Sequence, residues 1–356
     1  MKIKVLIVGD YFFRSGFIKN AMEKELDDLA KFDITTLDLP YPDEQLNLSK
    51  STKIPSGMSW DANPKIDFNT YKIREHYGSP EYLINYIGDT EILIVHGAAV
   101  PREVINRGRN LKLICCLRGG IVNIDVRAAE KQGIQVISTP GKNAQAVAEM
   151  ILGLLITHLR NAFIAMTFLQ QGIWKSNYCN YDYAGLEIKG KTFGIVGFGR
   201  IGQILAKILE GFDCNTIIYD PFISSEIIEK YKVKLVDLNE LLNRADFVSL
   251  CARLPKDSNV LIGKNELTLM KPSSILINTA RGNLLDYRAL YDALKSRALG
   301  GAILDVFGNE NFGFYQKLIN LPWVTATPHI CGISQDTCKR GIDILIKKLR
   351  IYFLER

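Results

Sequence analysis

Short runs of β-branched and other apolar residues alternate with segments of helical periodicity along most of the chain. Such alternation is typical of a mostly parallel sheet whose strands are joined by crossover helices. In the first third, the pattern predicts four strands and three helices, in chain order at 4–8, 17–29, 32–39, 80–87, 91–95, 101–106 and 111–117. These elements compose one doubly wound α/β domain.

A second series of the same kind begins at Lys191. It contains six predicted strands and one clear helix, at 192–196, 201–209, 216–219, 247–250, 274–278, 301–304 and 323–326. Residues 134–138 add a strand upstream, and the amphipathic segment 334–354 predicts a terminal helix. The sequence therefore predicts an α/β fold of two doubly wound domains.

Two segments depart from this alternation. Residues 144–169 predict one long helix whose apolar positions exceed a single core-facing stripe, so we expect it to be buried at a domain junction or a subunit interface. Residues 40–78 are rich in Pro, Ser, Asn and Lys with scattered aromatic residues, which indicates an insertion. A lid, an oligomer contact and a surface loop are all compatible with that insertion.

Composition and charge narrow the function classes. The 356 residues are 47% hydrophobic, enough for two cores, and the net charge of +6 is dispersed, so we expect no nucleic-acid partner. No stretch reaches membrane-spanning length, and residues 1–10 predict a buried strand rather than a signal peptide. The seven cysteines lack metal-ligand spacing, which predicts reduced thiols in a cytoplasmic protein without a metal site.

The strongest local signal is the glycine loop at 197–202. Gly197, Gly199 and Gly202 have the G-x-G-x-x-G spacing, follow a predicted strand and open a predicted helix. In that context the first glycine permits a tight turn, the second lets the backbone approach a pyrophosphate, and the third lets helix and strand pack closely. The helix N-terminus offers N–H groups to the phosphates. A glycine-rich turn that binds nothing is the alternative.

Asp220 ends the next predicted strand, where an acidic side chain can accept hydrogen bonds from both hydroxyls of an adenosine ribose. Residues 221–224 contain no Arg that could hold a 2′-phosphate. The sequence therefore favours NAD over NADP.

Three ionisable residues, Arg281, Glu310 and His329, come after the predicted strands that end at residues 278, 304 and 326. We expect them at the carboxyl edge of the sheet, where ligands bind in such folds. Oxidation of a 2-hydroxy acid requires a base for the hydroxyl proton, a cation for the carboxylate and a hydride acceptor. His329, Arg281 and NAD can fill these roles. A carboxylate at Glu310 would favour the protonated form of His329 and fix its tautomer.

Ordered motifs over most of residues 110–335 resemble the D-isomer-specific 2-hydroxy acid dehydrogenase family. Besides the glycine loop, they are N-I-D at 123–125, T-P-G-K-N at 139–143, A-V-A-E at 146–149, N-T-A-R-G at 278–282, L-D-V at 304–306 and T-P-H-I at 327–330. Several ordered motifs together are far more specific than any one of them.

The resemblance implies a flavodoxin-like substrate domain of residues 1–118 and 330–356 and a Rossmann NAD-binding domain of residues 119–329. It implies a homodimeric, NAD-dependent enzyme that acts on small D-2-hydroxy or 2-keto acids. The implied catalytic residues are Arg281, Glu310 and His329. The implied cofactor contacts are Gly197, Gly199, Arg200, Ile201, Gly202, Asp220, Thr279, Ala280 and Asp305, the last near the nicotinamide carboxamide. The implied substrate contacts are Gly119, Gly120 and Arg281.

The first domain adds candidate specificity residues. These candidates are His96 and Arg118, which follow predicted strands as Asp10 does, and solvation of the two at the surface is an equal alternative. An extra Arg is compatible with a phosphorylated or dicarboxylic substrate. Residues 250–255 depart from the His and Thr that are usual in the family, which leaves the cofactor contacts of that loop open.

The alternative function is that of a binding protein. The C-terminal-binding-protein corepressors resemble the same family and use NAD occupancy to control partner association. Absence of a disordered tail argues against this alternative, whereas the 40–78 insertion could serve as a partner surface.

Overall fold

The computed structural model describes residues 2–39, 73, 76, 78–252, 260–308, 310 and 312–355. Within them the chain forms two compact α/β units. The described residues before 144 and those from 333 onward form the first unit, and residues 144–332 form the second. Most of the predicted insertion and residues 253–255 of the departing loop lie outside the described residues.

The elements alternate as the sequence pattern predicts. The strands are β1 (Ile3–Gly9), β2 (Phe32–Asp38), β3 (Ile92–Val95), β4 (Leu113–Cys116), β5 (Gln135–Ser138), β6 (Thr192–Val196), β7 (Asn215–Tyr219), β8 (Lys234–Leu235), β9 (Phe247–Leu250), β10 (Ile275–Asn278), β11 (Gly301–Leu304) and β12 (Val324–Ala326). The helices are α1 (Ser15–Glu25), α2 (Glu81–Ile84), α3 (Arg102–Arg107), α4 (Val126–Lys131), α5 (Ala144–Leu159), α6 (Ala162–Gln170), α7 (Arg200–Leu209), α8 (Ser225–Ile228), α9 (Leu238–Arg244), α10 (Lys264–Leu269), α11 (Tyr287–Lys295), α12 (Phe312–Ile319) and α13 (Gln335–Leu354).

The first unit contains a parallel sheet in the order β2-β1-β3-β4-β5. This is the flavodoxin-like order, in which the strand sequence reverses between β1 and β3. Strands β3 and β4 are buried along their whole length, as expected for central strands covered by helices on both faces. The predicted flavodoxin-like fold of the first domain is confirmed.

The terminal helix α13 completes the core of this unit. The N-cap residue of this helix is Ser334, whose Oγ accepts a hydrogen bond from the N–H of Thr337 at 3.0 Å. Its buried residues include Leu345 and Leu349, which belong to the same apolar cluster as Phe13. Chain segments from both ends of the sequence thus share one core.

The second unit contains a parallel sheet in the order β12-β11-β10-β9-β6-β7-β8. This order reverses between β6 and β9, as in the Rossmann fold, and ligands of such sheets bind outside the carboxyl ends of the strands at that point. The predicted Rossmann domain is confirmed. The glycine loop follows β6 and therefore lies at this reversal.

The boundary between the units differs from the division implied by the family resemblance. Strand β5 pairs in parallel with β4, with Cys116 opposite Ser138. Residues 119–143 consequently belong to the first compact unit, which ends at Asn143. The compact units are defined by packing alone, so the predicted division into a substrate domain and an NAD-binding domain after residue 118 stays a prediction.

The prediction of one long buried helix over 144–169 is wrong, because the structure has two helices there and only the first contributes buried residues. The chain breaks between α5 and α6, where Asn161 adopts a left-handed φ of 54° that cannot continue a right-handed helix. Half of the α5 residues are buried, but none of the α6 residues is buried. No single described helix is long and apolar enough to cross a membrane, and α5 and α6 pass that test only as a pair bent by 67°.

We predict that truncating a buried position of α13 destabilises the first unit. Leu345 is 0% exposed, so Leu345→Ala should lower the free energy of unfolding by about 2–5 kcal/mol through lost burial and a residual cavity. Urea denaturation followed by circular dichroism measures the change. Ile351→Ala on the same helix is the control, because Ile351 is 54% exposed. Equal effects of the two substitutions would contradict the placement of α13 in the core.

Candidate active site

The glycine loop joins β6 to α7 with almost no room for side chains at two of its glycines. Gly197 has a φ of 95°, and a Cβ there would lie 2.6 Å from both N and Cα of Ala252. A Cβ at Gly202 would lie 2.5 Å from the carbonyl oxygen of Gly197. The tight turn and the close approach of helix to strand therefore both require glycine.

Gly199 differs, because no heavy atom of the described residues lies within 4 Å of a Cβ built there. It immediately precedes α7, whose first turn contains Arg200 and Ile201. The first N–H groups of a helix have no partners within the helix, so they are available to an anion in this space. The loop therefore fits the pyrophosphate of a dinucleotide.

Asp220 follows β7 and also holds the glycine loop in place. Its Oδ2 accepts a hydrogen bond from the N–H of Phe198 at 2.8 Å, and its Oδ1 accepts one from the N–H of Phe222 at 2.9 Å. Each carboxylate oxygen can accept a further hydrogen bond. The predicted contact with a ribose stays a prediction, compatible with this second task of the side chain.

Arg281 follows β10, and its side chain is exposed. Its Nη1 donates to the carbonyl oxygen of Ala280 at 2.7 Å. The buried Asn278 shapes this segment: its Nδ2 donates to the carbonyl oxygen of Arg281 at 3.0 Å and to the Tyr287 hydroxyl at 3.2 Å. Its Oδ1 accepts from the N–H of Ala280 at 3.2 Å. Asn278 is thus a positioning residue, which the sequence marks only as the first residue of the N-T-A-R-G motif at the end of an apolar strand.

Glu310 lies on the loop after β11, and the structure gives it an unexpected partner. Arg288 donates from Nε to Oε1 at 2.9 Å and from Nη2 to Oε2 at 2.6 Å, a bidentate pair. The Tyr315 hydroxyl anchors the same loop by accepting from the N–H of Gly308 at 2.7 Å. Among the described residues, the hydrogen bonds of the Glu310 carboxylate thus go to Arg288 rather than to His329.

His329 occupies a tight turn held by a buried carboxylate. Its φ is 57°, a left-handed conformation that costs a non-glycine residue about 1–2 kcal/mol. The Asp305 Oδ1 accepts from the Thr327 hydroxyl at 2.7 Å and from the N–H of Ile330 at 2.8 Å, and its Oδ2 accepts from the N–H of Cys331 at 3.1 Å. These bonds lie on both sides of His329 and offset the strain. Asp305 therefore orients the turn, and its implied contact with a nicotinamide stays a prediction.

In the first unit, Asp10 and His96 form a buried pair at the carboxyl ends of β1 and β3. The Asp10 Oδ2 lies 2.7 Å from His96 Nδ1 and accepts from the N–H of Gly97 at 3.1 Å. We assign the proton to Nδ1 because an ionised carboxylate only accepts. Burial lowers the pKa of His96 to about 4, so its imidazole is neutral at physiological pH. The alternative that His96 is solvated at the surface is wrong, because its side chain is buried.

The loop after β4 carries the implied substrate contacts Gly119 and Gly120, both half-buried. No heavy atom of the described residues lies within 4 Å of a Cβ built at Gly120. Arg118, also half-buried, donates from Nε to the carbonyl oxygen of His96 at 3.1 Å. The ends of β3 and β4 are thereby joined beside the two glycines.

Comparisons with known proteins agree with this architecture. A family model described as "D-isomer specific 2-hydroxyacid dehydrogenase, NAD binding domain" matches residues 152–331. The chain is 39% identical over 257 residues to the glyoxylate reductase of Thermococcus litoralis, a match that covers 71% of this chain and 77% of that protein. It is 38% identical over 272 residues to the D-3-phosphoglycerate dehydrogenase of Methanocaldococcus jannaschii, covering 76% of this chain but only 51% of that longer relative.

A solved structure extends the similarity to the whole fold. The glyoxylate reductase from Paecilomyes thermophila superposes with a TM-score of 0.72 at 26% identity, covering 99% of this chain and 95% of that one. The family expected from the sequence motifs is confirmed, and so is the cofactor expected from the glycine loop. The chain belongs to the D-isomer specific 2-hydroxyacid dehydrogenase family, and NAD is its cofactor.

Proposed function

We propose that this chain catalyses hydride transfer between NAD and a small D-2-hydroxy acid or the corresponding 2-keto acid, with His329 as the acid/base. The observation that carries the proposal is the turn of His329, which a buried Asp305 holds at the carboxyl edge of a dinucleotide-binding sheet. Arg281 follows a strand of the same sheet and supplies a cation for the substrate carboxylate.

Each residue has a distinct task in this mechanism. Arg281 and the backbone amides of Gly119 and Gly120 bind the substrate carboxylate. During oxidation, the neutral His329 imidazole takes the hydroxyl proton, and during reduction the protonated imidazole returns it to the forming alkoxide. NAD, when bound, accepts or supplies the hydrogen at the 2-carbon together with its electron pair. The glycine loop and Asp220 hold the cofactor.

Glu310 has a task that requires a change of partner. Its carboxylate favours protonated His329 only when the two groups are within a few ångströms. Arg288 holds both carboxylate oxygens in the structure, but Arg288 is two-thirds exposed and its side chain is long. We propose that Glu310 is shared between Arg288 and His329 in the catalytic complex, since each oxygen accepts more than one hydrogen bond.

The names of the relatives indicate the class of substrate but not one particular compound. One is named for glyoxylate and another for D-3-phosphoglycerate, so they agree on a 2-hydroxy or 2-keto acid and not on its tail. Both are named as enzymes, which does not favour the alternative of an NAD-sensing binding protein. Loss of NADH absorbance with a panel of 2-keto acids separates the two functions, because a sensor would bind NADH without turnover.

The predicted cytoplasmic location rests on the cysteine pattern and stays a prediction. All seven cysteines are free thiols in the structure. Burial raises the pKa of Cys251, which follows β9, to about 11, so this residue is a neutral thiol at physiological pH.

A homodimer is also part of the proposal, and α6 is the surface we assign to it. This helix exposes Phe163, Met166 and Leu169 by 58%, 48% and 57%. Trp174 and Tyr181, farther along the same stretch of chain, are 83% and 92% exposed. Exposed apolar residues in such number mark an interaction surface, and a second copy of the chain is the partner that the family resemblance implies.

We predict that Gly197→Ala impairs cofactor binding. The methyl group would meet the backbone of Ala252 and would strain a φ of 95°. We expect NADH affinity, measured by fluorescence titration, to fall by roughly tenfold or more. Gly211→Ala is the control, because a Cβ at this glycine of the same unit meets no described atom within 4 Å. Native affinity in Gly197→Ala would contradict the assigned role of the loop.

We predict that His329→Asn abolishes most turnover while leaving NADH binding intact. Asn tolerates the left-handed φ of 57°, so the turn should persist without an acid/base. Steady-state kinetics with a 2-keto acid should show kcat lowered by about 10²–10⁴-fold. A variant with the native rate would exclude His329 as the acid/base.

We predict that the double substitution Phe163→Glu and Leu169→Glu converts a dimer into a monomer. Association would remove two carboxylates from water and bury them against apolar side chains, which is unfavourable and should weaken the dimer. Light scattering coupled to size-exclusion chromatography measures the mass. Tyr82→Glu, at a 50% exposed residue of the first unit, is the matched control. A monomeric parent protein, or a double variant that stays dimeric, would disprove the assigned surface.

A further inference from the structure

The carboxyl edge of the first sheet carries a buried cation that the proposed mechanism does not use. Lys142 follows β5 and is 8% exposed. Its Nζ lies 4.6 Å from the ring centre of Phe13 and 5.6 Å from that of Phe12. Among the described residues, the Lys142 ammonium makes no hydrogen bond and no ion pair. Within the described part of the chain, the rings of Phe12 and Phe13 are thus the direct partners of a charged group that is nine-tenths buried.

This arrangement is costly without an anion. An ammonium removed from water loses hydration that cation–π contacts restore only in part. Burial, and next the charge of Arg118, lower the pKa of Lys142 to about 8, which still leaves it mostly protonated at neutral pH. Among the described carboxylates, that of Asp10 raises the pKa of Lys142. It already accepts from four donors, namely His96 Nδ1 and the N–H groups of Phe12, Phe13 and Gly97.

A second cation converges on the same place. Arg118 follows β4, the neighbour of β5, and its carbonyl oxygen accepts a hydrogen bond from the N–H of Thr139 at 2.9 Å. The loops that carry Arg118 and Lys142 are thus tied together. Arg118 also donates from Nε to the carbonyl oxygen of His96, and the ring centre of His96 lies 4.5 Å from that of Phe13, the ring that the Lys142 ammonium faces. Lys142 and Arg118 therefore lie on loops that are hydrogen-bonded to each other, and Arg118 directly precedes the implied substrate contacts Gly119 and Gly120.

The position of Lys142 is built into the core rather than left to a mobile side chain. A Cβ at Gly341 of α13 would lie 3.1 Å from the Lys142 Cδ and 2.9 Å from the Phe13 ring, so the lysine stem packs where only glycine leaves room. Arg340 donates from Nε to the carbonyl oxygen of Lys142 at 2.8 Å. The terminal helix therefore holds the ammonium at this edge.

We propose that Lys142 and Arg118 form a subsite for a second oxyanion on the substrate, a phosphate or a carboxylate at the end remote from the reacting carbon. This inference rests on the proposed function and narrows its substrate class to 2-hydroxy and 2-keto acids with an anionic tail. The oxyanion supplies the acceptors that the buried ammonium lacks, and the planar guanidinium binds it alongside.

Matched substrate pairs test the subsite in the NADH-dependent direction. Phosphohydroxypyruvate is compared with hydroxypyruvate, and 2-oxoglutarate with 2-oxopentanoate, so that one pair isolates a phosphate and the other a carboxylate. The parent protein should favour the charged member of at least one pair by roughly tenfold or more in kcat/KM. The pair that shows this preference identifies the oxyanion.

The variants then assign that preference to Lys142. Lys142→Met should lower the ratio within the favoured pair by roughly tenfold, mainly through KM, because the charged tail loses its cation. Lys142→Arg should restore part of the ratio. Lys131→Met removes the same charge from an exposed position of α4 and should leave the ratio unchanged. The melting temperature of each variant is measured to confirm that it folds.

Failure of the subsite and failure of the proposed function are distinguishable. Turnover of 2-keto acids without a preference for either charged tail, or with a ratio unchanged in Lys142→Met, would overturn the subsite alone. If no 2-keto acid is turned over, the subsite is decided by inorganic phosphate, which should raise the melting temperature of the parent protein and not that of Lys142→Met. An equal shift in both proteins would overturn it.

Discussion

In both sheets, every pair of hydrogen-bonded strands runs in parallel, and this constraint determines where the chain can carry out chemistry. Parallel strands need crossover connections, so each strand of a sheet ends at the same edge and the next segment begins there. The segments that follow the strands therefore all begin at that edge. The glycine loop, the turn of His329 and the loop of Gly119 and Gly120 all occupy such positions.

Buried polar side chains fix the conformation of the loops at these edges by hydrogen bonds to their backbone. Asp305, Asn278 and Asp10 are each buried. The two carboxylates accept hydrogen bonds from backbone N–H groups, and the Asn278 amide donates to a backbone carbonyl. A buried polar group without partners is expensive, so each of these residues imposes a particular path on the chain around it. The strained φ of His329 persists because Asp305 determines the turn on both sides.

The cations divide between two tasks. Arg281 and Arg288 lie in the second unit, where one follows a strand and the other holds Glu310. Lys142 and Arg118 lie in the first unit, where the burial of Lys142 makes an anionic ligand favourable. The proposed acid/base and the cofactor-binding loop therefore belong to the second unit, whereas the specificity that we propose for the remote end of the substrate rests on the first.

The sequence by itself determined the alternation of strands and helices, the glycine loop with Asp220, and the residues that follow the strands, because these depend on local periodicity and on backbone conformations that only glycine tolerates. Tertiary structure alone decided the pairing of Glu310 with Arg288, the hold of Asp305 on the His329 turn, the break at Asn161 and the burial of Lys142. The partners in both polar pairings are 22 residues apart or more, so no local pattern marks them. Which side chain meets which depends on how the strands and helices pack, and that is a property of the folded chain.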